Sequence, residues 1–132
     1  MLDSTRAFSG FGVGDIPRAK RFYGETLGLP VKEVDLGRGG AKVPGGLHID
    51  VGAGFVLVYP RPNHIPAPFT ILNFVVSDLE AAVDELAAKG VRFEHYDGDL
   101  NTDARGIHRD QYTSPIAWFT DPDGNVLSLI EE

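Results

Sequence analysis

The chain of 132 residues contains no cysteine, which excludes disulfides, thiolate nucleophiles and cysteine-bound metal centres. Its formal charge of −7, from 12 basic and 19 acidic residues, argues against a nucleic-acid partner. No apolar run is long enough to span a bilayer and the first residues do not look like a signal peptide, so we expect a cytoplasmic protein with no membrane partner.

The first half of the chain predicts a strand, a helix and three further strands. A glycine-containing strand over Ala7–Val13 precedes a helix that is capped by Asp15, carries Pro17 in its first turn and ends at Gly28. Short runs of β-branched and apolar residues predict the other strands, of which the last two form a hairpin. These strands are Val31–Leu36, Leu47–Val51 and Phe55–Pro60.

The second half predicts the same order of elements. A strand over Thr70–Val76 precedes a helix with capping-box spacing between Ser77 and Glu80. A strand over Val91–Asp97 and a polar loop over Gly98–Thr113 follow. The segments SPIAWF and NVLSLI predict a final hairpin around a Pro-Asp-Gly turn, which leaves the terminal Glu-Glu as a solvated tail.

The two halves also match letter by letter. VGDIPRA (Val13–Ala19) matches VSDLEAA (Val76–Ala82), and GFVLVYP (Gly54–Pro60) matches GNVLSLI (Gly124–Ile130). Two matches in the same order indicate a duplicated unit. We therefore predict a single α+β domain of two tandem β-α-β-β-β modules, at about 6–60 and 69–131 with a linker at 61–68. The modules are expected to enclose a cleft of the kind that binds small molecules.

These motifs resemble the vicinal oxygen chelate superfamily, which comprises glyoxalase/bleomycin resistance protein/dioxygenase-like proteins. The resemblance rests on RFYGETLGL after the first capping Asp, on VVSDLEAAVDELAAKGV and on the ending WFTDPDGNVLSLIE, and it covers Ala7 to Glu131. It implies the predicted fold, modules that pair within one chain or across a homodimer, and a function among lyases, dioxygenases, epimerases, transferases and drug-sequestering proteins.

The resemblance also implies where a metal would be bound. Catalytic members hold a divalent metal with His, Glu or Gln side chains from both halves, at two positions seven residues before a capping Asp and two positions four residues after a hairpin glycine. None of the four corresponding residues here has an imidazole or a carboxylate, so we predict no metal and no cofactor. The four residues are Phe8, Val58, Ile71 and Ser128.

Two other groups of residues could form a site. His48 and Asp50 share one face of a predicted strand, either as part of a metal site or, in the simpler interpretation that we adopt, as solvent-facing residues. The segment Gly106–Tyr112 forms either a mobile solvated loop or a lid with a general base and an anion clamp. The lid would use His108, Arg109, Asp110 and Tyr112.

Two further residues complete the candidate binding cleft. Trp118, on the same strand face as Ile116, is either a stacking wall or a core residue, and Asn73 either offers its amide to a ligand or is a satisfied buried group. We expect a metal-independent protein that binds a small organic molecule, such as an antibiotic, between apolar and hydrogen-bonding side chains. The net charge mildly favours a cationic ligand. The predicted cleft residues are Phe8, Val58, Ile71, Asn73, Trp118 and Ser128.

The resemblance leaves two alternatives to a binding protein. The first is an enzyme of the superfamily: a lyase or dioxygenase with relocated metal ligands, or a metal-free isomerase with a loop base such as His108. The second is a dimeric accessory module without catalysis.

Overall fold

A computed structural model describes residues 1–132 and divides them into two units, Met1–His64 and Ile65–Glu132. Each unit contains one four-stranded sheet and one α-helix. In both sheets the first strand pairs in parallel with the fourth, and the third and second strands follow in antiparallel order. The predicted α+β class with two similar β-α-β-β-β modules is therefore confirmed.

In the first unit the helix begins where the sequence predicts. Asp15 Oδ1 accepts a hydrogen bond from the Arg18 N–H at 2.9 Å, which caps helix α1 (Ile16–Arg21). The helix continues into a π-helical turn over Phe22–Thr26. The strands are β1 (Ser9–Val13), β2 (Val31–Val34), β3 (Gly46–Val51) and β4 (Gly54–Pro60), and a 3₁₀ turn covers Ser4–Arg6.

In the second unit the helix cap lies one residue later than predicted. Asp78 Oδ1 accepts a hydrogen bond from the Ala81 N–H at 3.0 Å, so the predicted capping box that starts at Ser77 is wrong. Asp78 is the residue that the internal repeat aligns with the first capping aspartate. The elements are β5 (Thr70–Val76), α2 (Leu79–Ala88), β6 (Ile107–His108), β7 (Ile116–Thr120) and β8 (Val126–Glu131), with a 3₁₀ turn at Gly98–Leu100.

The second strand of this unit was predicted in the wrong segment. Residues 91–97 form no regular strand and contribute a single bridge, from Phe93 to Phe119. The strand is instead β6, from the segment predicted as a polar loop. Ile107 and His108 are buried there, and the Asp103 carboxylate accepts the Ile107 N–H at 2.9 Å. Burial in the sheet therefore outweighs local β propensity.

The end of the chain is also more ordered than a solvated tail. Glu131 is the last residue of β8, and its Oε2 accepts the backbone N–H of Leu79 at 2.8 Å, at the first turn of α2. A carboxylate at this end of a helix satisfies a free N–H and complements the helix dipole. The prediction of a solvated tail is therefore wrong for Glu131, whereas Glu132 is exposed.

Each sheet buries one face against its helix, and we call the opposite face the second face. Strand alternation places Val58 and Leu47 on the helix-covered face of the first sheet and Phe119 and Leu129 on that of the second, all buried. Neither α-helix is long enough and apolar enough to cross a membrane. The second face of the second sheet carries Asn73, Val75, Ile116, Trp118, Ser128 and Ile130.

Candidate functional site

A pocket of about 340 Å³ opens on the second face of the second sheet, at the edge formed by β6 and β7. Its volume is within the range of small-molecule sites. One wall is apolar and consists of Leu100, Ile116, Trp118 and Ile130. The other end is polar and consists of His108, Asp110, Thr113 and Ser114.

Trp118 forms the aromatic wall of the pocket. Alternation along β7 places its indole on the same face as Ile116, as the sequence predicts, and this face is turned away from α2 and pairs Trp118 across the sheet with Ser128. The Tyr96 ring packs edge-on against the indole with ring centroids 5.5 Å apart, and the His108 ring lies at 6.3 Å. These contacts hold the indole so that it can present a fixed surface to a flat ligand.

His108 is held by a hydrogen-bond acceptor at each ring nitrogen. Nδ1 lies 2.9 Å from the carbonyl oxygen of Asn101, and Nε2 lies 2.9 Å from Asp110 Oδ2. Both nitrogens must carry a proton to make both bonds, so the geometry favours the imidazolium. The Asn101 carbonyl and the Asp110 carboxylate accordingly raise the pKa of His108.

The Asp110 carboxylate accepts hydrogen bonds from several groups of the turn that follows it and from His108. Its oxygens accept the backbone N–H groups of Tyr112 and Thr113, each at 2.7 Å, the Thr113 hydroxyl at 3.0 and 3.1 Å, and His108 Nε2–H. The Tyr112 N–H, then His108 and the Thr113 N–H, hold the pKa of this carboxyl far below its usual range. Asp110 therefore stays ionised and fixes the loop that bounds the pocket.

The structure separates the four residues of the predicted lid. His108 is buried in strand β6 rather than mobile, and it reaches the pocket. Arg109, the residue that follows β6, donates to Glu80 of α2 at 3.0 Å. Tyr112 is 85% exposed. Of the four, His108 and Asp110 line the pocket, and Arg109 and Tyr112 do not.

Ser128 lies on the second face but does not line the pocket. Its side chain is fully buried, and its hydroxyl donates to Asn73 Oδ1 on the neighbouring strand β5. Asn73 itself is exposed, so its amide is accessible on the sheet face that carries Trp118. The two predicted hydrogen-bonding residues are thus brought together, with the serine hydroxyl already used.

Val58 lies on the other side of its sheet from the position that the repeat alignment suggested. It is 0% exposed, against α1, whereas Leu57 is on the second face and pairs with His48. Ser128 pairs with Asn73 and Leu57 pairs with Gly10, and both partners stand five residues before a capping aspartate, which makes Leu57 the counterpart of Ser128. The sequence alignment matched Gly54 with Gly124 and was therefore one residue out in β4. A shift of one residue moves a strand side chain to the opposite face of the sheet, so Val58 was assigned to the wrong face.

An aromatic group lies on the second face of the first unit. Phe8, 56% exposed, stacks on Phe55 at 4.8 Å, and Phe55 meets the His48 ring edge-on at 4.1 Å. His48 Nε2 is 3.6 Å from Asp50 Oδ1. His48 and Asp50 therefore face away from the helix; the predicted exposure to solvent holds for Asp50, whereas His48 is half-buried. Ile71, half-buried, sits at a register shift in β5.

The chain brings no three His, Asp or Glu side chains into a group that could hold a metal ion. Sequence reasoning missed Leu100, Thr113, Ser114, Ile116 and Ile130 as lining residues and named Asp110 only as part of the possible lid. Ile130 could have been found from its alternation with Ser128. Asp110 followed by Thr113 is the spacing of a side-chain-capped turn. The positions of Leu100, Thr113 and Ser114 depend on how the loop folds back.

Comparisons with known proteins give a family and a fold. The model of the Glyoxalase/Bleomycin resistance protein/Dioxygenase superfamily matches residues 7–129. A search of curated proteins finds no significant match. The crystal structure of SMU.1112c is 26% identical, with a TM-score of 0.69 over 94% of this chain and 96% of that chain.

Two more distant structures share the fold alone. TnmS3, an antibiotic binding protein from Streptomyces sp. CB03234, is 23% identical, with a TM-score of 0.63 over 98% of each chain. The genomically encoded fosfomycin resistance protein FosX from Listeria monocytogenes is 12% identical, with a TM-score of 0.67 over 100% of this chain and 95% of that chain.

Proposed function

Because this chain belongs to the glyoxalase/bleomycin resistance protein/dioxygenase superfamily, we propose that it binds a small organic molecule without a metal ion, in the pocket beside Trp118. The pocket itself is the observation that carries the proposal. It combines a fixed aromatic wall, aliphatic neighbours and a few polar groups at one end, which is the usual composition of a small-molecule site.

The residues at the superfamily's metal positions do not fit a divalent cation. After the one-residue correction they are Phe8, Leu57, Ile71 and Ser128, and a neutral hydroxyl is their sole oxygen donor. Elsewhere the His, Asp and Glu side chains form no cluster of three. These observations support metal-independent binding.

The geometry also argues against His108 as a general base, the role it would have in a metal-free isomerase. A base needs an unprotonated nitrogen that faces the substrate. Both ring nitrogens of His108 instead donate to acceptors of the protein. His108 is therefore a structural group of the pocket wall, and binding rather than proton transfer is the better supported activity.

An antibiotic is one ligand class that the comparisons support. TnmS3 is an antibiotic binding protein and FosX is a fosfomycin resistance protein, and both share this fold. A fold alone does not fix a ligand. The test should therefore start from a broad library that includes antibiotics.

The test is a ligand screen on EDTA-treated protein, followed by calorimetric titration of each hit. Trp118→Leu keeps the site apolar but removes the stacking surface, so we expect its Kd to rise at least about tenfold. Phe69→Leu is the matched control, because Phe69 is 65% exposed and lies outside the pocket. Hits whose affinity survives Trp118→Leu, or that require added zinc, nickel, manganese or iron(II), would contradict the proposal.

The homodimer and the cytoplasmic location stay predictions. Light scattering on the purified protein tests the dimer directly. A monomer at micromolar concentration would reject it without affecting the binding proposal, because every residue that lines the pocket comes from one unit of one chain.

A further inference from the structure

We propose that this pocket selects an uncharged, planar aromatic ligand and discriminates against both cations and anions. The inference rests on the proposed function and specifies the ligand class of the same site. It depends on how the two ionised side chains at the polar end of the pocket are engaged. His108 and Asp110 are the ionisable residues that line it.

The negative charge in the pocket has no capacity left for a ligand. Asp110 accepts hydrogen bonds from two backbone N–H groups, from the Thr113 hydroxyl and from His108. A carboxylate offers about four lone-pair sites, and these donors use them. An ammonium group that entered the pocket would find no acceptor of full charge to replace its water.

The positive charge of His108 likewise has no free hydrogen-bond donor for a ligand. His108 has two ring N–H groups, and these donate to the Asn101 carbonyl and to Asp110. The imidazolium and the carboxylate are in contact at 2.9 Å, so their fields largely cancel at the site of a ligand. A carboxylate or phosphate ligand would therefore meet neither a free donor nor a net positive charge.

The rest of the pocket favours a flat apolar molecule. The Trp118 indole is braced by Tyr96, and Ile116 and Ile130 continue the apolar surface. An ionised group on a ligand would lose water against these walls without a compensating partner, which is unfavourable. The exposed Ser114 hydroxyl is an uncharged hydrogen-bonding group at the pocket for a neutral polar substituent.

The experiment uses three probes with the same ring system and different charge: 9-anthracenemethanol, 9-anthracenemethylamine and 9-anthracenecarboxylate. Trp118 is the sole tryptophan, so energy transfer from it to anthracene reports binding within transfer range of this residue. Titrations at pH 6 are made in low salt and in about 0.3 M salt, because salt screens the long-range field of the acidic protein. We expect saturable binding of the neutral probe and at least about tenfold weaker binding of both ionised probes.

The outcomes separate this inference from the proposed function. An ionised probe that binds as tightly as the neutral one in both salt concentrations overturns the charge selectivity but leaves ligand binding intact. Binding of aliphatic library compounds without any anthracene probe overturns the aromatic preference alone. If neither the probes nor any library compound bind, the proposed function fails as well.

Two substitutions should redirect the selectivity. Asp110→Asn leaves the imidazolium without its counter-charge. We therefore expect the affinity for the carboxylate probe to increase relative to the affinity for the neutral probe. His108→Gln leaves the Asp110 carboxylate without a counter-charge, and the affinity for the ammonium probe should increase relative to the affinity for the neutral probe. Circular dichroism checks that each variant is folded. Folded variants with unchanged selectivity would overturn the inference; if neither folds, the wild-type titrations decide it.

Discussion

Substitution of Val58 by alanine should destabilise the protein far more than the same substitution at Val75. Val58 is 0% exposed on the helix-covered face of β4, whereas Val75 is 62% exposed on β5. Each change removes two methyl groups from a strand. β4 is a central strand and β5 an edge strand, and β propensity in a host protein spans about 1 kcal/mol, so a difference larger than this between the variants measures burial.

The expected magnitudes follow from the burial of the two side chains. Two fully buried methyl groups are worth about 1.6 kcal/mol of transfer free energy, and the cavity left between sheet and helix raises the loss for Val58→Ala to about 2–3 kcal/mol. For Val75→Ala, with most of its surface already in water, we expect about 0.6 kcal/mol.

Urea unfolding followed by far-ultraviolet circular dichroism measures both free energies, provided that the slopes with denaturant stay equal. Similar losses for the two variants, or a loss below about 1 kcal/mol for Val58→Ala, would refute the placement of Val58 against the helix. Such a result would restore the alignment that puts this residue on the second face.

Three further perturbations test other parts of the structure by the same unfolding measurement. Glu131→Gln should lose about 0.5–1 kcal/mol, because it removes the charge at the start of α2, whereas Glu132→Gln should be neutral within error. The raised pKa of His108 predicts a stabilisation that is fully present below about pH 6.5 and is lost as the pH rises through that raised value, so stability should fall less between pH 5.5 and 8.5 in His108→Gln than in the wild type. Gly106→Ala should cost at least about 2 kcal/mol, since φ is +90° and the new Cβ would lie 2.9 Å from a backbone carbonyl; Gly98→Ala, with φ +82° and open space, should cost about 1 kcal/mol.

The parts of the fold that follow from local chemistry could be predicted from the sequence. Asp15 caps a helix because its carboxylate has a free N–H within reach, and Gly52–Gly54 permits a tight hairpin between two apolar strands. The repeated letters then predict that both units share one order of elements. None of these inferences requires contacts between distant residues.

The errors occur where tertiary contacts decide the outcome. Strand β6 has two residues, too few for any periodic pattern, and it exists because Ile107 and His108 are buried against β7. The face of Val58 depends on a one-residue register that two similar glycine motifs obscured. In strands such a slip exchanges the buried and the outward side chains.

The candidate site was predictable only in part for the same reason. Alternation on β7 was sufficient to place Trp118 on the face of Ile116, whereas its pairing with Ser128 depends on the register of β7 and β8. The saturated pair of His108 and Asp110 depends on the Asn101 carbonyl, seven residues from the histidine, which no sequence spacing indicates. The polar end of the pocket is thus a product of loop folding.

The most direct test of the Trp118 pocket is a nuclear magnetic resonance titration of ¹⁵N-labelled, EDTA-treated protein with a library hit or with 9-anthracenemethanol. The single tryptophan gives one indole N–H signal. Binding in the pocket predicts that this signal and the amides of Ile116 and Ile130 shift saturably with one ligand per chain. Absence of saturable shifts, or shifts confined to the aromatic group of Phe8, Phe55 and His48 in the first unit, would contradict it.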